Sequence, residues 1–259
     1  MIDEREIRNS LHTQFLGRRI YSFDSIDSTN TFARTLKDDE CPNGTLIITD
    51  EQTAGKGRQG RQWQSQKGKN LLFTVATRPL FLHDKVRVLP FAAALATADG
   101  IEQETKSAVE CKWPNDLLID GKKVAGMLIE TTTQNNAVMN VIIGIGINVN
   151  QTEFGNDIKE KATSLKLHAH QDVNRVRLLS AVLEELEYRF DQLRHFSPQM
   201  LLDEWKQRAT MLGSEITLVE QRTSIKARAM DVAPNGALII EEINGTRREV
   251  FAGDVTIGQ

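Results

Sequence analysis

EQTAGKGRQGRQWQSQKG, running from Glu51 to Gly68, sets three glycines, Gly55, Gly57 and Gly60, among three cations, Lys56, Arg58 and Arg61. Trp63 is its single large apolar side chain. Glycine reaches φ > 0 without a Cβ clash, so such a segment turns tightly and lets backbone approach a ligand. Successive N–H groups in these turns form an anion-binding concavity. Lysine adds a point charge, and arginine adds a two-pronged donor for phosphate or carboxylate. The segment therefore reads as a mobile loop that closes on an anion, phosphate first among them. Gly55-x-Gly57-x-x-Gly60 also matches the dinucleotide fingerprint letter by letter. That fingerprint needs a helix opening on the glycines and an acidic residue about 20 positions further on. Residues 62–68 are polar with no helical apolar stripe, and no acid lies between Glu51 and Asp84. The P-loop pattern fails too, because no Gly-Lys is followed by Ser or Thr at the required spacing. A solvated basic surface loop is the plain alternative.

Upstream of the loop, Thr45 to Thr49 is a strand entered through the turn Pro42-Asn43-Gly44. Before it come an amphipathic helix from Asp3 to Leu16 stopped by Gly17, a strand from Arg19 to Phe23, and a helix from Thr31 to Lys37 that Ser28 can cap. Downstream, Asn70 to Thr77 is a buried strand, and Val86 to Ile101 is an alanine-rich buried helix with Pro90 near its start. Val109 to Trp113 is a strand ended by Pro114. Leu117 to Ile119 and Val124 to Thr131 make a hairpin through Asp120-Gly121. Gln134-Asn135-Asn136 turns into a strand from Val138 to Ile145, and the glycine-punctuated run Gly146-Ile147-Asn148-Val149-Asn150 follows.

The second half changes character. Asp172 can cap a long helix whose Val176, Leu179, Val182, Leu183, Leu186, Phe190 and Leu193 line one face. Glu184-Glu185-x-Glu187 reads as its solvated face. Ser197-Pro198 starts a further helix that ends near Gly213. From Glu215 the pattern is strand throughout: Ile216 and Leu218, Ile225 to Ala229, Leu238 to Ile240, Val250-Phe251, with hairpin signals at Asn235-Gly236 and Asn244-Gly245. The expected fold is α+β. Residues 1–211 form a domain on a mixed β-sheet with helices mainly on one face, and 212–259 form a small β-barrel-like module.

The 259 residues are 40% apolar and 26% charged, a globular composition long enough for a large core without staples. A net charge of -3 leaves no global basic field for nucleic acid. Cys41 and Cys111 are too few for a disulfide framework and lack metal spacing. His168-x-His170 has no neighbours to complete a ligand set and reads as a solvated pair. The charged N-terminus lacks the apolar core of a signal peptide, and no apolar run approaches a membrane span, so a cytoplasmic protein is expected.

Chemistry-bearing residues fall into four segments. These are Asp27-Ser28-Thr29-Asn30 at a strand-to-helix turn; Gln52 through Arg61; Lys112-Trp113-Pro114-Asn115-Asp116 with Lys123-Val124-Ala125-Gly126; and Gly144-Ile145-Gly146-Ile147-Asn148. Singly they also read as a helix cap, a basic loop, a structural hairpin and a turn. In this order and at these separations, across about residues 20–150, they resemble the biotin protein ligase (biotin–[acetyl-CoA-carboxylase] ligase) family. The Lys-Trp-Pro-Asn-Asp block and the glycine loop are the specific marks. Residues 212–259 resemble that family's SH3-like C-terminal domain.

The resemblance implies a reaction in two steps. The biotin carboxylate attacks the α-phosphorus of ATP, giving biotinyl-5′-AMP and pyrophosphate. A lysine amine of a biotin carboxyl carrier protein, part of a biotin-dependent carboxylase, then attacks the mixed anhydride. Residues 1–211 become the biotin- and ATP-binding catalytic domain. By matched position, Ser28, Thr29, Asn30 and Gln52 line the biotin pocket, and Lys56, Gly57 and Arg58 close over the biotin carboxylate and the phosphates. Lys123 contacts the carboxylate and the α-phosphoryl oxygens. Asp116 helps hold Mg²⁺ or positions the attacking lysine. Trp63 stacks on adenine and Asn148 hydrogen-bonds its edge. The family more usually has Arg where Lys56 stands, which keeps the charge and loses the fork. About 20 residues precede the first core strand, too few for the helix-turn-helix domain some members carry, so no DNA binding is expected. A membrane is not expected either, and monomer and homodimer both stay open. The rival of the same fold is a lipoate ligase or octanoyl transferase. The transferase needs a nucleophilic cysteine beside a lysine, but Cys111 alternates inside an apolar strand and reads as inert. An RNA-binding module is disfavoured by the excess of acid and the lack of interleaved aromatics.

Overall fold

The computed structural model describes residues 2–78, 83–134, 137–220 and 223–258. In chain order the elements are α1 (Glu4–Ser10), β1 (Ile20–Phe23), α2 (Thr29–Thr35), β2 (Thr45–Thr49), β3 (Leu71–Thr77), α3 (Leu89–Thr105), β4 (Glu110–Lys112), β5 (Asp116–Ile119), β6 (Lys122–Gln134) and β7 (Ala137–Ile147). There follow α4 (Leu165–Ala169), α5 (Arg175–His195), α6 (Pro198–Arg208), β8 (Glu215–Glu220), β9 (Thr223–Val232), β10 (Leu238–Glu242), β11 (Arg247–Val250) and β12 (Asp254–Ile257). The first seven strands form one mixed sheet in the order β1-β2-β3-β7-β6-β5-β4. Only β1 and β2 run parallel in it. The last five form an antiparallel sheet ordered β11-β10-β9-β8-β12. This is the α+β architecture expected. Residues 135 and 136 of the expected Gln134-Asn135-Asn136 turn lie outside the described residues.

Side chains alternate across a strand, so register decides what each face of the large sheet offers. Leu46, Ile48, Phe73, Val75, Met127, Ile143 and Ile145 point into a core shared with α3, and α5 packs along α3. Each fully buried Leu, Ile or Phe is worth about 1.5–3 kcal/mol, so this face holds the sheet in place. On the opposite face the register aligns Ile47, Thr74, Gly144 and Leu128 in one row, and Thr49, Leu72, Gly146 and Gly126 in the next. The three neighbouring glycines of β6 and β7 leave a trough without side chains. α2 covers part of this face, with Ala33 packed among Ile47, Ala76 and Ile142.

Several local expectations change. α1 stops at Ser10, not Leu16. Beyond it the backbone N–H groups of Gln14, Phe15 and Leu16 donate to the Glu187 carboxylate on α5. Glu187 is therefore not on a solvated face; it accepts from three backbone donors of the irregular chain that follows α1. The cap of α5 is Asn174, which accepts from Val176 N and Arg177 N, while Asp172 pairs with Lys166. The last helix ends at Arg208 rather than near Gly213. Ser28 and Ser197 cap α2 and α6 as expected.

The C-terminal sheet is fastened to the large one through apolar packing. Ile216, Leu218, Ala229, Leu238, Ile240 and Val250 belong to the same buried cluster as Trp205 of α6 and the residues of α3. Trp113, 2% exposed, donates its indole N–H to Gly236 O in the β9–β10 turn at 3.2 Å.

Candidate active site

One end of the trough is hydrogen-bonded and carries no net charge, its one carboxylate, Glu130, being paired with Arg34. Ser28 Oγ accepts from Thr31 N at 3.4 Å, and this cap sets Thr29 and Asn30 down towards the sheet. Thr29 donates from N and Oγ1 to Gln52 Oε1, at 2.8 and 3.2 Å. Thr74 of β3 lies 2.7 Å from Thr29 Oγ1 and 2.6 Å from Asn30 Oδ1. Asn30 Nδ2 donates to Glu130 Oε2 at 2.8 Å, and Glu130 pairs with Arg34 at 3.2 Å. The Asn30 carboxamide sits directly over Gly144, where any Cβ would collide with it. Thr74, Glu130 and Arg34 escape sequence reading, because a threonine in an apolar strand looks like any strand former.

The glycine loop closes over the middle of the trough. Gly57 N donates to Arg61 O at 2.7 Å and Trp63 N to Gly55 O at 3.0 Å, so the loop folds back on itself. The Trp63 indole then lies on the glycine floor. A Cβ at Gly146 would stand 2.7 Å from its Cε2, and one at Gly126 would stand 3.1 Å from its Cζ3. Its buried N–H has no protein partner among the described residues. A donor left so costs about 1–3 kcal/mol, which a ligand acceptor in the trough would recover. Lys56 is exposed at the rim, in an open cavity of about 760 Å³ lined by residues 54–62 with Leu128 and Glu130.

Charge gathers at the other end. Lys123 reaches across Gly126 to Asp116 Oδ1 at 2.6 Å, with its Nζ 5.4 Å from the Trp63 ring centroid. Arg58 Nη1 donates to Asn115 Oδ1 and to Gly253 O, each at 3.3 Å. Asn115 is itself pinned, its Nδ2 donating to Met127 O at 2.6 Å. Arg61 pairs with Asp254 of β12. Lys112 is the register partner of Asp116, and Asp116, Lys123, Asp254 and Arg61 all act on it. Burial pushes the Lys112 ammonium below the ordinary lysine value; Lys123 and Arg61 push the same way, against Asp116 and Asp254. Burial also lowers Arg58, opposed by Asp254 and Asp116. Arg58, Arg61, Lys112 and Lys123 thus gather around Asp116 and Asp254, an excess of positive charge suited to an anion. Lys112 is a site residue that its motif alone does not reveal; its neighbours Cys111 and Trp113 are buried, so alternation turns it towards the site.

Asn148 is buried and its Nδ2 donates to Thr163 O at 3.0 Å. Residues 161–163, which sequence reading passed over, bracket Lys123: Lys123 N donates to Lys161 O at 2.8 Å and Thr163 N to Lys123 O at 2.9 Å. His168 is not half of a solvated pair. It stands on α4, Nε2 2.9 Å from Thr163 Oγ1 and Nδ1 3.3 Å from Asp120 Oδ2. Cys111 is buried and its thiol is pushed up to about 12 by burial, which makes it a poor nucleophile. Among the described residues no three His, Cys, Asp or Glu side chains gather to hold a metal ion.

The sequence profile of the biotin/lipoate A/B protein ligase family matches residues 22–148, which contain the glycine loop, Lys112, Asp116, Lys123 and the Ser28–Asn30 turn but not Thr163, His168 or Asp254. The chain is 34% identical to the bifunctional ligase/repressor BirA of Bacillus subtilis, over 99% of its own length and 79% of that protein. It is 30% identical to the biotin–[acetyl-CoA-carboxylase] ligase of Mycobacterium tuberculosis, over 98% of its length and 95% of that protein. Its fold superposes on the biotin protein ligase of Aquifex aeolicus, solved with biotin and ATP, with a TM-score of 0.81 at 27% identity, covering 93% of this chain and 99% of that one. A relative this similar over this much of both sequences leaves one conclusion: the chain belongs to the biotin/lipoate A/B protein ligase family.

Proposed function

We propose that the chain is a biotin protein ligase and that the glycine-floored trough is its adenylation site. The observation that carries the reading is the polarity of the trough, with neutral hydrogen-bonding groups at one end and clustered cations at the other. Biotin has the matching shape, a neutral ureido ring at one end and a carboxylate at the other. The ureido group meets Gln52, Thr29, Asn30 and the Ser28 turn. The carboxylate reaches Lys123 and the loop residues Lys56, Gly57 and Arg58.

The α-phosphate of ATP then lies among Arg58, Lys112 and Lys123. A biotin carboxylate oxygen attacks the α-phosphorus, the bond to the bridging oxygen breaks, and pyrophosphate leaves with the electron pair. Charge grows on the equatorial phosphoryl oxygens, and fixed cations aimed there are worth most in a site screened from water. Trp63 offers a stacking face to adenine. With its N–H given to Thr163, Asn148 keeps its carboxamide oxygen for the adenine amino group. In the second step an acceptor lysine amine attacks the acyl carbon, AMP departs, and Asp116 orients the incoming amine. Mg²⁺ is commonly held by one or two carboxylates together with substrate phosphates, and Asp116 fits as such a single ligand, where the ion would neutralise phosphate charge. The acceptor is a biotin carboxyl carrier domain, the substrate type that the relatives' names imply. No described helix is long and apolar enough to cross a membrane. A need for ATP fits a cytoplasmic setting.

The test is the purified chain with α-labelled ATP, Mg²⁺ and one of biotin, lipoate or octanoate, followed by a carrier domain. Biotin alone should yield a labelled adenylate and then a biotinylated carrier. Lipoyl-adenylate in its place would establish the lipoate reading. Cys111→Ala should retain activity; its loss would favour an octanoyl transferase.

A further inference from the structure

We propose that His168 is a positioning residue for adenylation: it clasps the two backbone segments that flank Lys123 and so fixes where the Lys123 ammonium stands. The proposal rests on Lys123 acting at the α-phosphate, as above.

The backbone of Lys123 lies past the end of its regular ladder. β7 pairs with β6 only from Ala125 opposite Ile147 onward, and Asn148 N reaches Val124 O as the last link. On the other side, the β5–β6 register slips between Leu117 and Leu118, next to the Leu118–Lys123 pair. At this irregular place residues 161–163 act as the missing neighbour strand, a short parallel bridge opposite Lys123. That bridge comes from irregular chain, so what holds it decides how well Lys123 is placed.

His168 supplies the hold. Its Nε2 meets the hydroxyl of Thr163, a residue 3% exposed whose N bonds Lys123 O and whose O takes the Asn148 amide. The other ring nitrogen faces Asp120, in the turn just before Lys123. α4 is in turn anchored by Leu165 N to Asn148 O at 3.0 Å and Lys166 N to Val149 O at 2.8 Å. In the neutral ring Nδ1–H donates to Asp120 while Nε2 accepts from the Thr163 hydroxyl; in the imidazolium both nitrogens donate and the hydroxyl rotates to accept. Either state keeps the clasp. One imidazole thus ties the turn before Lys123 to the segment opposite it, without touching substrate. Small displacements of a group aimed at a transition state are expensive, with about 1 Å able to cost on the order of 10²-fold in rate.

The experiment measures adenylate formation with full-length chain carrying His168→Ala, His168→Gln, Lys123→Ala, and the double variant His168→Ala/Lys123→Ala. His168→Ala should lower kcat by about 10-fold or more, while KM for biotin stays within about threefold, because the biotin ring end lies at the far end of the trough. His168→Gln, which can still bond Thr163, should recover much of the loss. In the double variant the two effects should fail to multiply, as expected when one residue acts through the other. Fully multiplicative effects, or a His168→Ala chain with unchanged kcat, would overturn the proposal. If His168→Ala does not fold, His168→Gln and Asp120→Asn apply the same cycle to each half of the clasp. A parent chain that makes no biotinyl-adenylate rejects the ligase reading and this one together; an active parent with an unaffected His168→Ala rejects only this one.

Discussion

Lys112 is the side chain on which pH should act most visibly. Burial disfavours its ammonium, so its proton leaves at a lower pH than from an ordinary lysine. As pH rises through that lowered value, the phosphate site loses one positive charge, and kcat/KM for ATP should fall on an alkaline limb. Lys112→Arg, which stays protonated, should move that limb to higher pH; an unchanged profile would show that Lys112 does not face the phosphates. Thr74 offers a second test at this scale. Thr74→Val removes the hydroxyl between Thr29 and Asn30 and leaves the buried Asn30 Oδ1 short of a donor. The loss should be about 1–3 kcal/mol. That is a fall in Tm of roughly 2–4 °C per kcal/mol for a chain of this size, and biotin should bind several-fold more weakly. Calorimetry and titration with biotin check both. Asp116 and Lys123 were legible only through the motifs that resemble the family, and Lys112 stood in one of those motifs without a role of its own. Thr74 was not legible, since its role comes only from the register that sets it opposite Gly144.

At the scale of elements, the site depends on two strands that give up their side chains. Gly126, Gly144 and Gly146 lie side by side because β6 and β7 pair in a register that a one-residue slip would destroy. Gly146→Val should displace Trp63, since even a Cβ there comes within 2.7 Å of the ring. Overpacking of this kind costs about 1–3 kcal/mol, and adenylation should drop. Retained activity would mean that nothing uses the trough. The strands themselves were legible from apolar runs and turn residues. β12 was not, because Asp254 to Ile257 is four residues long with only Val255 buried. The segment 161–163 carries no periodicity at all, and its meaning arises from bonds to Lys123 made far along the chain.

For the whole molecule, the two sheets share one apolar cluster, and the smaller sheet reaches the site through Gly253 and Asp254. Unfolding should therefore be a single cooperative transition, with calorimetric and van't Hoff enthalpies equal; two resolved transitions would mean that the C-terminal module stands alone. The half-exposed Arg61–Asp254 pair adds little to stability, of order 0–1 kcal/mol, so what it does is place the loop against the site. This joint is not legible in the sequence, because ion pairs between distant residues leave no local pattern.

The most direct measurement is adenylate formation by Lys123→Ala set against its affinity for biotin. The expected result is a fall in kcat of about 10²-fold or more, the usual loss when one transition-state donor is removed, with biotin Kd raised by much less than that and a folded chain. Near-normal adenylate formation by the folded variant would contradict the assignment of the trough's cationic end as the place where biotin is activated.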